Sequence, residues 1–271
     1  MEAFICLTCG VQQAPTEEPP DRCAICEDER QYIHQGGQAW TSLADLRAKR
    51  HRIEVRDIEP GLTGLGIEPP FGIGQRALLV QTAGGNILWD CIGYVDEAAV
   101  QEVRRRGGIQ GIALSHPHFY GVMVEWSKAF DAAPIHVPQA DLEWVQRSDP
   151  AIHSWSGTLE VVPGLTLIQC GGHFEGSSVL HWADGADGRG ALLVGDTMTV
   201  VPDVRYVSFM RSYPNLIPLP VRDVERIVEA VRPYPFDRVY GGWWDRVMPG
   251  GGIRAVERSA GRYRKWIGTD G

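Results

Sequence analysis

Three histidines and one aspartate each follow directly on a predicted strand, and together they could bind a metal ion. His116 and His118 form a His-Pro-His motif after the buried strand predicted at Gln110–Ser115. His173 follows two glycines at the end of another predicted strand, and Asp196 follows one glycine at the end of a third. Imidazole nitrogens and carboxylate oxygens are ligands for zinc and iron. We therefore predict a mixed nitrogen and oxygen site, although each motif alone is common in turns.

A second metal site is predicted near the start of the chain, where four of the six cysteines form two Cys-x-x-Cys motifs. These motifs are Cys6 to Cys9 and Cys23 to Cys26. In a reducing compartment such pairs indicate a tetrahedral metal site more than disulfides. The pattern resembles a zinc ribbon or a shortened rubredoxin-type pair of knuckles. Zinc is the expected ion, iron stays open, and a redox pair is the alternative.

The charge of the predicted ribbon argues against binding to nucleic acid. Residues 1–35 carry seven acidic side chains and two basic ones. A phosphate backbone would be repelled by this excess of negative charge. We therefore expect a structural element or a contact surface for a protein partner.

The whole composition is that of a globular protein. The 271 residues include 26 Lys and Arg against 34 Asp and Glu, a formal net charge of −8, and 44% are hydrophobic. These values exclude collagen-like, coiled-coil and largely disordered chains. The chain has no run of about 18 apolar residues and no basic start followed by an apolar stretch. We expect a cytoplasmic protein that contacts neither a membrane nor nucleic acid.

The elements that would position these motifs alternate between short strands and helices. A connecting helix is predicted from Leu43 to about Arg50, and the Gly/Pro-rich stretch 59–74 is predicted as a lid or a flexible linker. The predicted strands are Ile53–Ile58, Ala77–Thr82, Asn86–Cys91, Gln110–Ser115, Ile135–Val137, Thr158–Val162, Leu165–Cys170, Ser178–Trp182, Ala191–Val194 and Arg238–Tyr240. The predicted helices are Asp96–Arg106, Val122–Phe130, Gln139–Arg147, Arg222–Val231 and Ile253–Trp266.

The order of these motifs resembles the metallo-β-lactamase fold superfamily over roughly residues 53–267. In that family a His-x-His-x-Asp-His motif is followed by Gly-His, Gly-Asp and a late Gly-His. By this resemblance His116 and His118 match the first pair, His173 the third histidine, and Asp196 the metal-bridging aspartate; Asp90 matches an earlier strand-end aspartate. The implied fold is α+β, a four-layer αββα sandwich. The predicted domains are a ribbon at 1–35, a connecting helix at 36–52 and the main domain at 53–271.

Two departures from the family pattern remove ligands of a second metal. The family's Asp-His pair is Tyr120-Gly121 in this chain, and Trp243 stands in place of the late histidine. Phenol, glycine and indole are poor ligands for zinc. We therefore predict one ion in the main domain, zinc or iron.

The resemblance implies hydrolysis of a small ester, thioester, lactone or amide. Asp196 is predicted as fourth ligand or as the base, and Tyr120 as a proton donor or as a residue that only fills the vacated volume. Two alternatives stay open at this point. One is an iron oxidoreductase of the same fold, and the other is a degenerate metal-binding protein that works through its ribbon.

Overall fold

The protein is an α+β sandwich of four layers, in which two sheets face each other and helices cover both outer faces. This architecture is seen in a computed structural model that describes residues 1–268. The αββα fold implied by the resemblance is thereby confirmed. The last three residues of the predicted main domain lie outside the described residues.

The N-terminal ribbon is a compact unit built on one pair of short strands. Strand β1 (Ile5–Cys6) pairs in antiparallel fashion with β2 (Trp40–Thr41), and helix α1 (Ala24–Glu27) carries the second knuckle. Helix α2 (Leu43–Ala48) follows and is capped by Ser42, whose Oγ accepts from the backbone N–H of Asp45. The segment predicted only as a connecting helix therefore also contributes a strand to the ribbon.

The first sheet contains seven strands in chain order, with antiparallel pairing at its beginning and parallel pairing at its end. They are β3 (Arg52–Glu59), β4 (Leu62–Glu68), β5 (Arg76–Thr82), β6 (Gly85–Trp89), β7 (Gly111–Ala113), β8 (Ile135–Pro138) and β9 (Ile152–Trp155). Helices α3 (Glu97–Arg105) and α4 (Met123–Ala129) connect the parallel strands. Their apolar sides pack on the outer face of this sheet.

The prediction of a lid or linker at 59–74 is wrong for the part that forms strand β4. Leu62 and Leu65 are buried in this strand. Gly64 and Gly66 lie against the indole of Trp244, where an added Cβ would approach ring atoms to 2.5 and 2.8 Å. These glycines thus make room for an aromatic ring, whereas in the sequence they looked like signals for a loop.

The second sheet contains six strands in the order β10-β11-β12-β13-β18-β19. They are β10 (Thr158–Val162), β11 (Leu165–Gln169), β12 (Ser178–Trp182), β13 (Ala191–Leu193), β18 (Arg238–Tyr240) and β19 (Val247–Met248). Two small hairpins lie between β13 and β18: β14 (Thr199–Val200) with β15 (Val207–Ser208), and β16 (Met210–Ser212) with β17 (Ile217–Pro218). The helical turn α5 (Gly185–Gly188) precedes β13, and helices α6 (Val221–Val231) and α7 (Gly252–Ile267) cover the outer face.

Three hydrophobic cores correspond to the three interfaces between the layers. Trp89 and Leu180 belong to the core between the sheets, and Val228 and Ala255 to the core beneath α6 and α7. The third core lies on the outer face of the first sheet, where the ribbon cysteines pack together with Trp126. The ribbon is therefore part of the main body. Among residues 1–268, no helix combines the length and apolar character needed to cross a membrane.

Part of the stretch 139–147, predicted as a helix, is a 3-10 helix at Gln139–Trp144. Strand β9 and the two small hairpins were not predicted. These short strands are too brief for a clear alternation of apolar and polar residues.

Candidate metal centres

The loops after three separate strands bring His116, His118, His173 and Asp196 to one point. The first two follow β7 on a 3-10 turn at Pro117–Phe119, and His173 and Asp196 follow β11 and β13. One potential ligand atom from each of the four lies within 4.8 Å of the others. The juxtaposition predicted from strand ends is therefore present in the structure.

The spacing of these atoms fits a single ion. His118 Nδ1 lies 3.2 Å from His173 Nε2, and Asp196 Oδ2 lies 3.4 Å from His116 Nε2 and 3.9 Å from His173 Nε2. Zinc–nitrogen bonds of about 2.0–2.1 Å place tetrahedral ligand atoms roughly 3.3 Å apart. His116 Nε2 and Asp196 Oδ1 are buried without a hydrogen-bond partner. Such groups are costly unless something binds them.

The surroundings keep two of the imidazoles neutral, which is the form that binds a metal. Burial lowers the pKa of His173 to about 3, and the neighbouring His116 lowers it further in the same direction. Burial likewise lowers the pKa of His118, with His173 as the next cause. Both imidazoles can therefore offer a lone pair at neutral pH without losing a proton.

Two hydrogen bonds orient the imidazole rings. Ser115 Oγ lies 2.8 Å from His116 Nδ1, and the carbonyl oxygen of Met210 lies 3.1 Å from His173 Nδ1. In both rings Nε2 is then directed toward the shared point. The backbone N–H of Ser115 donates to Asp90 Oδ1 at 2.7 Å. Asp90 thus holds the loop that carries the His-x-His motif, and burial raises the pKa of its carboxyl to about 8.

Replacing Ser115 by alanine is expected to weaken metal binding at the histidine cluster by about 10-fold to 100-fold, the usual effect of removing a partner of a ligand imidazole. The backbone N–H that donates to Asp90 is unchanged in this variant. Zinc competition with a chromophoric chelator measures the change. Ser127→Ala is the control, since Ser127 in α4 is equally buried but donates to the carbonyl of Ala133. Equal affinities in the two variants would contradict the orienting role.

The positions that depart from the family pattern offer no second ligand set. The Tyr120 hydroxyl donates to the carbonyl of Asp141 at 3.2 Å, which favours the volume-filling alternative over proton donation. Gly121 has a φ of +47°, and an added Cβ would lie 2.4 Å from the carbonyl oxygen of Ile92. The Trp243 ring packs against Phe119 and donates to the carbonyl of Ile73.

The histidine cluster is enclosed, with every ligand at most 4% exposed. Phe174 and Phe119 lie against the imidazole rings. A pocket of about 330 Å³ has Tyr213 and Trp243 in its wall, and none of the four ligands lines it. The Tyr213 ring lies 5.6 Å from that of His173, and its hydroxyl donates to the carbonyl of Asp196. Tyr213 therefore lies between the pocket and the ligands His173 and Asp196.

The four ribbon cysteines form the second cluster, and all are buried. The Sγ atoms of Cys6 and Cys26 are 3.6 Å apart, and those of Cys9 and Cys23 are 3.8 Å apart. Zinc–sulfur bonds of about 2.3 Å give tetrahedral sulfur spacings of roughly 3.8 Å. Gln38 Nε2 donates to Cys6 Sγ at 3.2 Å. The donor set therefore fits a tetrahedral metal ion. Cys91 and Cys170 are buried thiols outside both clusters.

Several residues around the histidine cluster were not predicted from the sequence. Ser115 and Phe174 are direct neighbours of ligand histidines, so adjacency was an available signal. Arg30 of the ribbon contacts the loop that contains His173, although 143 positions separate the two residues. No local pattern indicates such a contact.

Comparisons with known proteins agree with the fold. The family model described as the metallo-beta-lactamase superfamily matches residues 72–243. The uncharacterized protein YmaE of Bacillus subtilis (strain 168) is 49% identical over 272 residues, which cover all of this chain and 98% of that protein.

Solved structures show the same similarity at lower identity. The structure of VMB-1 matches with a TM-score of 0.58 and 14% identity, over 78% of this chain and 95% of that one. The DIM-1 metallo-beta-lactamase matches with a TM-score of 0.56 and 13% identity, over 78% and 98%. A B3 metallo-beta-lactamase with an active-site glutamic acid matches with a TM-score of 0.55 and 14% identity, over 84% of this chain and 93% of that one. At these identities the similarity shows the fold alone.

Proposed function

The chain belongs to the metallo-beta-lactamase superfamily, and we propose that it is a hydrolase with one metal ion, held by three histidines and Asp196. The proposed substrate is a small ester, thioester, lactone or amide. The observation that carries this proposal is the convergence of four buried ligand atoms within 4.8 Å of one another, of which His116 Nε2 has no hydrogen-bond partner among residues 1–268. Zinc is the proposed ion, since neutral imidazoles with one carboxylate suit it.

The ion would supply a Lewis acid, which polarises an acyl carbonyl and lowers the pKa of a bound water to about 7. The chain supplies the remaining parts. Ser115 and the carbonyl of Met210 hold two ligand rings in place. Asp196 directs Oδ2 toward the histidines and has Oδ1 unpartnered, so Oδ1 can accept a proton from an attacking water. Phe119 and Phe174 exclude bulk water from the cluster.

The size and chemistry of the pocket beyond Tyr213 and Trp243 support a small substrate with an apolar part. Its volume is about 330 Å³, at the lower end of the range for ligand sites. Val200 and Pro202 contribute apolar surface, and Asp245 and Arg246 lie at the same pocket. A long phosphodiester would meet the half-buried rings of Tyr213 and Trp243.

Metal analysis of the wild type beside a His116→Ala, His118→Ala double variant tests the proposal. We expect two zinc ions per wild-type chain and one in the double variant, because the four thiols of the ribbon are unchanged. Hydrolysis of a panel of small nitrophenyl esters, thioesters and lactones should occur only with the wild type. A His153→Ala variant serves as the control, since His153 lies on β9 away from both clusters.

Other outcomes of this experiment would contradict the proposal. The same metal count in both proteins would show that the histidine cluster binds no ion. Iron in place of the second zinc, with no hydrolysis of the panel, would favour the alternative of an oxidoreductase.

A further inference from the structure

We propose that Arg30 is a positioning residue for the histidine site, and that through it a metal ion in the ribbon strengthens metal binding in the main domain. The inference rests on the proposed function insofar as that function places an ion at the histidines. It goes further because it gives the ribbon a role in how tightly the histidine site of the main domain binds its metal.

Arg30 is a buried cation that reaches from the ribbon to a ligand loop. Its side chain is 8% exposed. Nε and Nη2 donate to both carboxylate oxygens of Asp28, at 2.5 and 3.0 Å, so the guanidinium is held in a fork. Nη1 donates to the carbonyl of His173 at 3.4 Å. A buried arginine in this fixed geometry can hold the backbone of a ligand residue in one place.

The same guanidinium also packs on the ring that separates it from the histidines. Its central carbon lies 3.8 Å from the centre of the Phe174 ring. That ring is fully buried, and its centre lies 5.0 Å from the His118 ring and 5.2 Å from the His173 ring. Interiors are close-packed, so a shift of Arg30 would be felt by the imidazoles.

A second connection runs through the hairpin of β16 and β17. Ser212 Oγ donates to the carbonyl of Arg30 at 3.1 Å, and Asn215 Nδ2 donates to the carbonyls of Glu29 and Gln31. The same hairpin begins at Met210, whose carbonyl faces His173 Nδ1. Residues 28–31, which we call the ribbon tail, therefore contact the backbone of His173 directly and also bind the hairpin that carries its ring partner, Met210.

The ribbon tail follows directly on the second cysteine knuckle. The backbone N–H groups of Cys26 and Glu27 donate to the carbonyl of Cys23, and the N–H of Arg30 donates to Asp28 Oδ1. Small tetrathiolate sites depend on their metal for folding. An ion in the ribbon thus orders the knuckle, the knuckle fixes the ribbon tail, and the tail fixes His173. Coupling of this kind is reciprocal between the two metal sites.

The test measures cobalt and zinc binding to the full chain with Arg30→Met and Asp28→Asn. The first variant removes the guanidinium, and the second weakens the fork while keeping the arginine. Arg22→Met is the control, because Arg22 is an exposed ribbon arginine paired with Glu27. We expect zinc affinity at the histidine site to fall about 10-fold or more in both test variants and to stay unchanged in the control.

Cobalt spectra separate this role from a general loss of structure. Thiolate-to-cobalt charge-transfer absorption reports the ribbon, and the visible bands of cobalt bound by nitrogen and oxygen report the histidine site. We expect changes only in the latter bands for Asp28→Asn. If Arg30→Met fails to fold, Asp28→Asn decides alone. Two ions in the wild type with unchanged affinity in the folded test variants would overturn this inference only, whereas one ion in the wild type, bound by the ribbon, would overturn the proposed function.

Discussion

Replacing Gly121 by alanine is expected to lower the free energy of unfolding by about 3 kcal/mol, the upper end of the usual cost of steric conflict in a core. Gly121 has a φ of +47°, and its missing Cβ would lie 2.4 Å from the carbonyl oxygen of Ile92. That oxygen accepts from the N–H of Val122, and the Gly121 carbonyl accepts from the N–H of Gln12 in the ribbon. The backbone on both sides is therefore held and cannot move away cheaply.

Urea unfolding followed by circular dichroism measures this effect, and Gly157→Ala is a matched control. Gly157 also has a positive φ, +69°, but no atom lies within 4 Å of the position of its Cβ. In the control, the free energy of unfolding should therefore fall only by the cost of a side chain on a left-handed backbone, about 1 kcal/mol. Equal losses in the two variants would show that the contact with Ile92 is not tight.

The crowding at Gly121 gives a physical reason for the single ion predicted from the sequence. A histidine at this position, as in the family pattern, would need space that the Ile92 carbonyl occupies. The ribbon also contacts this turn through Gln12. A second ligand set therefore cannot be restored by changing Gly121 alone. We interpret the departure from the family pattern as part of how the ribbon packs on the main domain.

The parts of the site that could be predicted are those encoded by local order in the chain. A buried strand followed by His-x-His, and glycines before His173 and Asp196, place ligands at one edge of the two facing sheets, because β7, β11 and β13 all end there. The four-layer fold was implied by the resemblance to the family, which rests on the same order of motifs. The cysteine cluster could likewise be predicted from the spacing of the two Cys-x-x-Cys motifs alone. The identity of the metal in both clusters stays a prediction.

The parts that could not be predicted depend on contacts between distant segments. Strand β4 contains Gly64 and Gly66, which local propensity assigns to a loop, yet the indole of Trp244 fills the space above them. Arg30 has no sequence signal for its contact with Phe174, since that contact exists only after the ribbon has packed on the main domain. Tertiary packing thus overrides local preference at these positions.

Replacing Cys9 by serine is expected to release the ribbon metal and to lower the free energy of unfolding by about 4 kcal/mol or more, since structural zinc contributes to folding outright. Cys9 is fully buried and belongs to the same core as Trp126. Loss of the ion would leave three unliganded thiols in that core. The loss of stability should therefore extend beyond the ribbon to the first sheet. Thermal unfolding should show one cooperative transition at a lower temperature than in the wild type, and metal analysis should show the loss of the ribbon zinc.

Cys170→Ser is the matched control for this last experiment. Cys170 is also buried, but its Sγ donates to the carbonyl of Ile168 at 3.5 Å, and a serine hydroxyl can donate to the same oxygen. We expect a loss of about 1 kcal/mol and no change in zinc content. If Cys9→Ser loses its zinc yet unfolds like the control, the ribbon ion does not stabilise the main body. A separate early transition for the ribbon would also contradict the prediction, because it would show that the ribbon and the main body do not unfold as one cooperative unit.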